Sequence, residues 1–293
     1  MITFDEYFKL TTEAKAGYSF DKFIDKAADR YTYISTDRVE QALDNLSDHG
    51  GLKILSLPHI FSFEKLLIDY SYKITDVYGV EIKSSVLKKE VIGAARKFTK
   101  QHSTSVWLPY SYKTKNYVAA TMSSILDGSR ILKNTQTGEM KTIDDLPVNV
   151  IDLDYVGMID ESKLKDVLYA SRLLKSGGLI FLTLAFRNQK TGYTTADTTI
   201  MKPFGRGEEK KMLNPAYKSI TPSEEDTRIH GRGTYGLNAK KREDYVTYAV
   251  NVADYIANYF GKGLRLVPIY ANPYKGGDKS QAIEMMRLIF LKR

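Results

Sequence analysis

Apolar residues along positions 52 to 186 follow two alternating patterns. Short, nearly continuous apolar runs have the length and composition of buried β-strands. These strand candidates are 53–57, 76–82, 103–110, 148–154 and 179–186. Between the runs, apolar residues return every three or four positions, as on one face of an amphipathic helix. Strands that alternate with such helices are typical of a mostly parallel sheet covered on both faces.

The pattern changes near the C-terminus. A helix is predicted there from apolar residues at helical spacing, namely Val246, Ala249, Val250, Ala253, Ile256 and Phe260. Two further apolar runs, 264–270 and 282–292, follow with a glycine-containing turn between them, which predicts an antiparallel hairpin. The predicted fold is α/β and Rossmann-like: a mostly parallel seven-stranded sheet with a C-terminal antiparallel hairpin and helices on both faces.

Two segments stand apart from this domain, which we place at residues 50–293. Residues 1–49 are polar and predicted to be a helical N-terminal extension that ends before Gly50 and Gly51. Residues 187–244 interrupt the domain and lack a regular apolar pattern. A loop of this length inside a domain is usually functional or disordered.

Composition excludes several classes of protein. The chain has 293 residues, 43% hydrophobic and 27% charged, which is typical of a soluble globular protein. It contains no cysteine, so disulfides and thiolate metal sites are excluded, and its four histidines lack ligand spacing. No run reaches the roughly 20 apolar residues that span a bilayer, and no signal peptide is apparent. We therefore expect no metal, no membrane association and a cytoplasmic location.

The formal net charge of +8 favours a polyanionic partner. The interruption at 187–244 has 12 lysines and arginines against 8 acidic residues, so it supplies half of this excess. Aromatic residues are scattered among these cations, a composition suited to gripping phosphates and stacking on bases. We predict nucleic acid, DNA or RNA, as the partner, with Arg206, Arg232 and Tyr235 as candidate contacts.

The order of elements resembles the class I S-adenosylmethionine-dependent methyltransferase family over residues 52–186 and 245–293. The best match is Glu81, which lies at the end of the second predicted strand, 23 residues after Pro58. The resemblance implies that S-adenosylmethionine lies across the carboxyl ends of the strands and that Glu81 accepts hydrogen bonds from its ribose hydroxyls. The implied cofactor-binding residues are Leu57, Pro58, His59, Glu81, Ile82 and Asp152.

The turn after the first strand departs from the family pattern. The family has Gly-x-Gly-x-Gly there, whereas residues 56–62 read SLPHIFS and contain no glycine. Because proline and isoleucine disfavour positive φ, we expect this turn to lack the backbone conformation that glycine provides. The sequence leaves two alternatives open: the turn holds the cofactor in another way, or the cofactor site is lost.

The run VNVIDLDYVGMID places two aspartates and a tyrosine at the end of the fourth strand. The stretch IDLDYVG is similar to the Asp-Leu-Asp-Pro-Phe-Gly pattern of tRNA guanine-N2 methyltransferases. The resemblance implies catalytic roles for Asp154, which would orient an amine, and Tyr155, which would stack on a base. Asp152 would support the loop or the cofactor. The alternative is an Asp-turn that closes the strand, with Tyr155 as a lid on the core.

The function expected from these features is S-adenosylmethionine-dependent N-methylation of a nucleic-acid base. One alternative is a non-catalytic nucleic-acid-binding protein on a degenerate methyltransferase fold. Another is a methyltransferase for a small molecule or a protein. Trp107 and Tyr110 end the third strand, where the family's adenine pocket lies, and core packing explains them equally well.

Overall fold

The computed structural model describes residues 36–155, 161–185, 249, 252–253, 256–257, 265–276 and 283–293. The helices are α1 (Thr36–Asp48), α2 (Ser62–Asp69), α3 (consecutive segments Ser84–Val86, Leu87–Val91 and Ile92–His102), α4 (Met122–Leu126) and α5 (Glu161–Leu173). The middle segment of α3 is a π turn. The first six strands are β1 (Leu52–Ser56), β2 (Ile74–Gly79), β3 (Ser105–Ser111), β4 (Asn116–Tyr117), β5 (Ile131–Asn134) and β6 (Met140–Lys141). The others are β7 (Val150–Asp154), β8 (Leu179–Ala185), β9 (Leu266–Gly276) and β10 (Ile283–Lys292).

The strands form one sheet in the order β6-β5-β3-β2-β1-β7-β8-β10-β9, with β4 paired to β3. The five strands β3, β2, β1, β7 and β8 are parallel neighbours. Strand β10 runs antiparallel to both β8 and β9. The predicted mostly parallel sheet with a C-terminal antiparallel hairpin is confirmed.

The predicted number of seven strands is wrong, because the described sheet has ten. The additional strands β4, β5 and β6 lie beyond β3 and pair antiparallel. The one helix between β4 and β5 in the described chain is the short α4 (Met122–Leu126). Strands β5 and β6 form a hairpin, and Asn134 Oδ1 closes its turn by accepting hydrogen bonds from Gln136 N (2.8 Å) and Thr137 N (3.0 Å).

Helices cover both faces of the sheet, as predicted. Helices α1, α2 and α3 pack on one face through Val39, Leu43, Phe63, Leu67, Leu87, Val91, Ala95 and Phe98. Helix α5 packs on the opposite face through Leu164, Val167 and Ala170. Of the predicted 246–260 helix, the described residues Ala249, Val252, Ala253, Ile256 and Ala257 are helical and buried in the α5 face.

Strand β9 forms one border of the sheet, since it pairs only with β10 in the path. It is eleven residues long and contains Pro268 and Pro273. A proline has no backbone N–H, so within a sheet it is tolerated mainly on border strands. Residues 1–35 and the predicted interruption at 187–244 lie outside the described residues.

Candidate active site

The carboxyl ends of the parallel strands carry most of the residues that the sequence singled out. Leu57 and Pro58 follow β1, Glu81 and Ile82 follow β2, and Tyr155 follows β7. Neighbouring parallel strands have their carboxyl ends on the same side of a sheet. These residues therefore lie along one edge, which is formed by the carboxyl ends of the strands. Ligands of open α/β sheets bind in the crevice at this edge.

Large apolar side chains are exposed along the same edge. In the described part of the chain, the exposed large hydrophobic residues are Ile60 (53% exposed), Ile82 (60%) and Tyr112 (62%). They follow the ends of β1, β2 and β3, which are adjacent in the sheet. Exposed apolar groups that gather at one place mark binding surfaces, whereas single ones are ordinary.

The turn after β1 adopts the left-handed conformation without a glycine. Ile60 has φ 58° and ψ 26°, and Phe61 has φ 65°. The expectation that this sequence could not reach positive φ is therefore wrong. Phe61 is fixed by a hydrogen bond from its N–H to the carbonyl oxygen of Pro58 and by stacking on Phe98 of α3, with ring centroids 5.0 Å apart. A β-branched residue at positive φ is strained, and such strain gathers at functional sites.

The turn also lies against the end of β2. A Cβ atom on Gly79 would come within 3.2 Å of Pro58 Cγ and 3.0 Å of Leu108 Cδ2. A side chain at this position would force the turn away from β2. Gly79 therefore permits the close approach of the two strand-end turns that carry Pro58 and Glu81.

Glu81 is partly exposed and lies two residues beyond the last residue of β2. Its Oε1 atom accepts a hydrogen bond from the backbone N–H of Lys83 at 2.7 Å, which orients the carboxylate. Its carbonyl oxygen accepts another from the N–H of Ala120 at 2.9 Å. A carboxylate has about four lone-pair positions, so one such bond leaves capacity for a ligand's hydroxyl groups.

The two aspartates of β7 have different surroundings. The side chain of Asp152 is 1% exposed, and its Oδ1 lies 2.9 Å from Nη2 of Arg287 on β10. Arg287 also donates a hydrogen bond to the Thr183 hydroxyl on the intervening strand β8. Asp154, two residues further along β7, is partly exposed at the strand end. The structure therefore buries Asp152 in an ion pair and leaves Asp154 accessible.

Tyr155 is held from two sides. Its phenol donates a hydrogen bond to Asp166 on α5, and the same carboxylate oxygen accepts a bond from Ser123 Oγ at 3.0 Å. The Lys163 ammonium lies 5.7 Å from the centroid of the Tyr155 ring. Part of the ring packs against the core cluster of the α5 face. Tyr155 is thus a fixed ring at the end of β7, next to Asp154 in the sequence.

Other predicted residues fall elsewhere. Trp107 is buried, and its indole N–H donates to Asp76 at 3.4 Å. The side chain of His59 and the candidate contacts Arg206, Arg232 and Tyr235 lie outside the described part of the structure. Over the described residues, no group of three acidic, histidine or cysteine side chains could hold a metal ion. Within the same residues, no helix is both long and apolar enough to span a membrane.

Sequence reasoning missed Ile60, Asp166 and Arg287. Arg287 had a visible signal, because it is the one basic residue inside the apolar stretch 285–291. A buried cation needs a buried anion, and Asp152 sits in another apolar run. Asp166 and Ile60 gave no comparable signal, since acids on helices and isoleucines in turns are common.

The strand order β3-β2-β1-β7-β8-β10-β9, with β10 antiparallel, is that of the class I methyltransferase fold. No family model matches the sequence, and no curated protein matches it. Several solved structures show a distant similarity to the chain. An O-methyltransferase family protein from Burkholderia thailandensis is 10% identical, covers 87% of this chain and 56% of its own, and has a TM-score of 0.32.

Two further structures are similar at the same level. The O-methyltransferase TomG from Streptomyces achromogenes, solved with SAM, is 8% identical over 100% of both chains, with a TM-score of 0.34. The N-methyltransferase NodS from Bradyrhizobium japonicum, solved with S-adenosyl-L-homocysteine, is 10% identical, covers 87% of this chain and 86% of its own, and has a TM-score of 0.34. Likenesses this distant say nothing about activity, and the fold assignment rests on the strand order.

Proposed function

We propose that this protein is an S-adenosylmethionine-dependent methyltransferase. The observation that carries the proposal is the arrangement at the carboxyl ends of β1 and β2. A strained turn with exposed Ile60 lies next to Glu81 and exposed Ile82, at the edge where this sheet order binds ligands. Packing alone gives no reason for two exposed isoleucines and a strained turn at one edge.

The residues of this edge fit the proposed cofactor in chemical type. Glu81 supplies a carboxylate for the two ribose hydroxyls, and Lys83 N holds it in place. Ile60 and Ile82 offer apolar surface for an adenine ring. The left-handed turn at Ile60 and Phe61 gives the backbone the course that glycines provide in the family. Leu57, Pro58 and His59 belong to the same turn and would line the site.

The bound cofactor would supply an electrophilic methyl group. The protein would hold the acceptor amine in line with the methyl group and accept a hydrogen bond from that amine. Asp154 is suited to accept a hydrogen bond from an amine, since its carboxylate is partly exposed at the strand end. Tyr155, fixed by Asp166, would hold a flat acceptor beside it.

Asp152 has a supporting role in this proposal. Its carboxylate pairs with Arg287 below the surface, so it fixes the end of β7 on which Asp154 stands. A direct contact with the cofactor would require that buried pair to break, which is costly.

The acceptor we propose is the amino group of a nucleic-acid base. Two features of the sequence support it: the net charge of +8 and the basic interruption with Arg206, Arg232 and Tyr235. A small-molecule acceptor is the main alternative, and it would need neither the charge excess nor the scattered aromatic residues.

Calorimetric titration with S-adenosyl-L-homocysteine tests the cofactor half of the proposal. We expect saturable binding of one equivalent, and transfer of labelled methyl groups from S-adenosylmethionine to single-stranded RNA or DNA. Absence of binding at millimolar cofactor would overturn the proposal and favour a non-catalytic protein. Cofactor binding without methyl transfer to nucleic acid would be consistent with a methyltransferase but would reject nucleic acid as the acceptor.

A further inference from the structure

The hairpin formed by β3 and β4 presents an aromatic and basic tip next to the candidate active site. Its loop residues, 112 to 115, are all exposed and include Tyr112, Lys113 and Lys115. Lys115 closes the loop in the left-handed conformation, with φ 53°. Three hydrogen bonds brace the hairpin: Thr114 N to Ser111 Oγ (3.3 Å), Asn116 Nδ2 to the Thr114 carbonyl (2.8 Å), and Val118 N to the Pro109 carbonyl (2.9 Å).

Three tyrosine rings form the body of this hairpin surface. Tyr110 makes edge-on contacts with Tyr112 and Tyr117, with ring centroids 6.1 Å and 5.8 Å apart. The Lys133 ammonium of β5 lies over the Tyr110 ring at 4.4 Å from its centroid. Tyr112 is 62% exposed, so most of its face is open to solvent. The rings support one another and keep Tyr112 from collapsing onto the core.

Positive charge surrounds these rings. The hairpin lies within residues 91–126, which contain five lysines and arginines and no acidic residue. Burial raises the pKa of the Tyr117 phenol, and the nearby Arg96 of α3 acts on it in the opposite direction. The wider segment 82–133 holds ten basic and two acidic residues, a net charge equal to that of the whole chain.

The hairpin is joined directly to the residues assigned to the cofactor. Ala120, three residues after Tyr117, donates its N–H to the carbonyl oxygen of Glu81 at 2.9 Å. Three residues span at most about 11 Å, so β4 ends close to Glu81. A nucleic-acid strand bound to the hairpin would pass beside the candidate active site.

We infer that the tip of the β3–β4 hairpin, with Tyr112, Lys113 and Lys115 as its contacts, binds single-stranded nucleic acid. An exposed ring stacks on any unpaired base, and the lysines meet the phosphates on either side. A duplex offers its bases only as edges in the grooves, so it would not use the ring. This inference extends the proposed function. Only the use of the bound nucleic acid as a methyl acceptor rests on that function.

Fluorescence anisotropy with labelled single-stranded oligonucleotides tests the inference on the full chain without cofactor. The oligonucleotides are about 12 nucleotides long, because sites of this kind cover roughly 4–16 nucleotides. We expect Tyr112→Ala to weaken binding roughly 5- to 150-fold, the range for loss of one stacked base, and Tyr112→Phe to retain it. Parallel titrations with RNA and DNA of one sequence identify the preferred strand. Equal affinity of Tyr112→Ala and the parent would overturn the inference.

The lysines have a separate readout. Replacing Lys113 and Lys115 by alanine should make the slope of log K against log salt less negative by about 1.4, because each phosphate contact on a single strand contributes about 0.7. The matched control replaces Lys165 and Arg172 by alanine, two exposed cations on α5, and should keep the parent slope. An equal change in both pairs would mean diffuse attraction and overturn the assignment of this hairpin.

The cofactor titration separates the two proposals. The double variant Lys113→Ala with Lys115→Ala should bind S-adenosyl-L-homocysteine like the parent, so weakened nucleic-acid binding in that variant leaves the methyltransferase proposal untouched. If the parent fails to bind the cofactor but still binds single-stranded nucleic acid, the methyltransferase proposal is rejected and the inference about the hairpin stands. A preference for duplex over single strands would overturn the inference about the hairpin.

Discussion

Arg287 of β10 and Asp152 of β7 form an ion pair across strand β8, with 2.9 Å between Nη2 and Oδ1. Both side chains are almost fully buried, at 7% and 1% exposure. The guanidinium also lies 5.4 Å from the centroid of the Phe181 ring and donates to Thr183. This pair ties the antiparallel end of the sheet to the strand that carries Asp154.

Removing one member of the pair should be costly. We expect Arg287→Met to lower the free energy of unfolding by about 3–5 kcal/mol, because it leaves the Asp152 carboxylate buried without its cation. The double variant Arg287→Met with Asp152→Leu should recover most of that loss, since it removes both charges. Urea unfolding of the parent, both single variants and the double variant measures the coupling. Additive losses in the double variant would contradict it.

Glu81 should govern cofactor affinity. We expect Glu81→Ala to weaken binding of S-adenosyl-L-homocysteine by roughly 10- to 150-fold, the effect of losing hydrogen bonds to a charged group worth about 1.5–3 kcal/mol. Glu90→Ala is the control, because Glu90 is an exposed glutamate on α3. Calorimetry on both variants makes the comparison, and an unchanged affinity in Glu81→Ala would remove Glu81 from the site.

Ile60 should limit stability while it serves binding. Ile60→Gly relieves about 1–2 kcal/mol of left-handed strain and costs roughly 0.5–1 kcal/mol of chain entropy. We expect a net gain of up to about 1.5 kcal/mol in the free energy of unfolding, together with weaker cofactor binding.

Ile82→Gly is the matched control for this variant. Ile82 is also exposed (60%, against 53% for Ile60) but does not have positive φ, so its replacement should destabilise the protein. Urea unfolding of the two variants distinguishes them. A loss of stability in both would mean that the turn at Ile60 is unstrained.

Asp154 should act on the acceptor and leave cofactor binding alone. We expect Asp154→Ala to abolish methyl transfer in single-turnover assays while the affinity for S-adenosyl-L-homocysteine stays within a few-fold. Asp154→Asn retains the shape and an acceptor oxygen but lacks the charge, so partial activity is expected. Equal loss of transfer and of cofactor affinity would assign Asp154 to the cofactor.

Tyr78 should set an alkaline limit on stability. It is fully buried on β2, and burial, with a smaller effect of the Asp76 carboxylate, raises the pKa of its phenol well above the ordinary value. A raised folded-state pKa gives stability that is complete below the unfolded pKa of about 10 and is lost as pH rises above it. Urea midpoints measured from pH 8 to 11.5 should fall steeply above pH 10 in the parent, and less steeply in Tyr78→Phe. Identical profiles would show that Tyr78 does not control this limit.

The core of the fold could be predicted because its central strands are short and mostly apolar. The run predicted at 53–57 became Leu52–Ser56, and that at 179–186 became Leu179–Ala185. Strands β4 and β6 could not be predicted, since two residues are too few to show a period of two. They form because β4 pairs with β3 at Tyr110 and β6 pairs with β5 at Leu132. This pairing depends on tertiary structure and not on the local sequence.

The site was predicted in part for similar reasons. Glu81 and Asp154 come at the ends of recognisable strands, so their place on the sheet followed from the pattern. The burial of Asp152 did not follow, because it depends on Arg287 from a strand that joins the sheet far later in the chain. The left-handed turn at Ile60 runs against local preference, so its explanation lies in the packing of Phe61 on Phe98 and the hydrogen bond from Phe61 N–H to the Pro58 carbonyl.

The prolines of β9 have a consequence for self-association. Among the described residues, the eleven-residue strand β9 is paired on one side only, and on its other side a second copy could add a strand and start an aggregate. Pro268 and Pro273 lack the N–H that such an addition needs, so the row of donors is broken at two places five residues apart. The long border can thus remain uncovered without becoming a template for fibre growth.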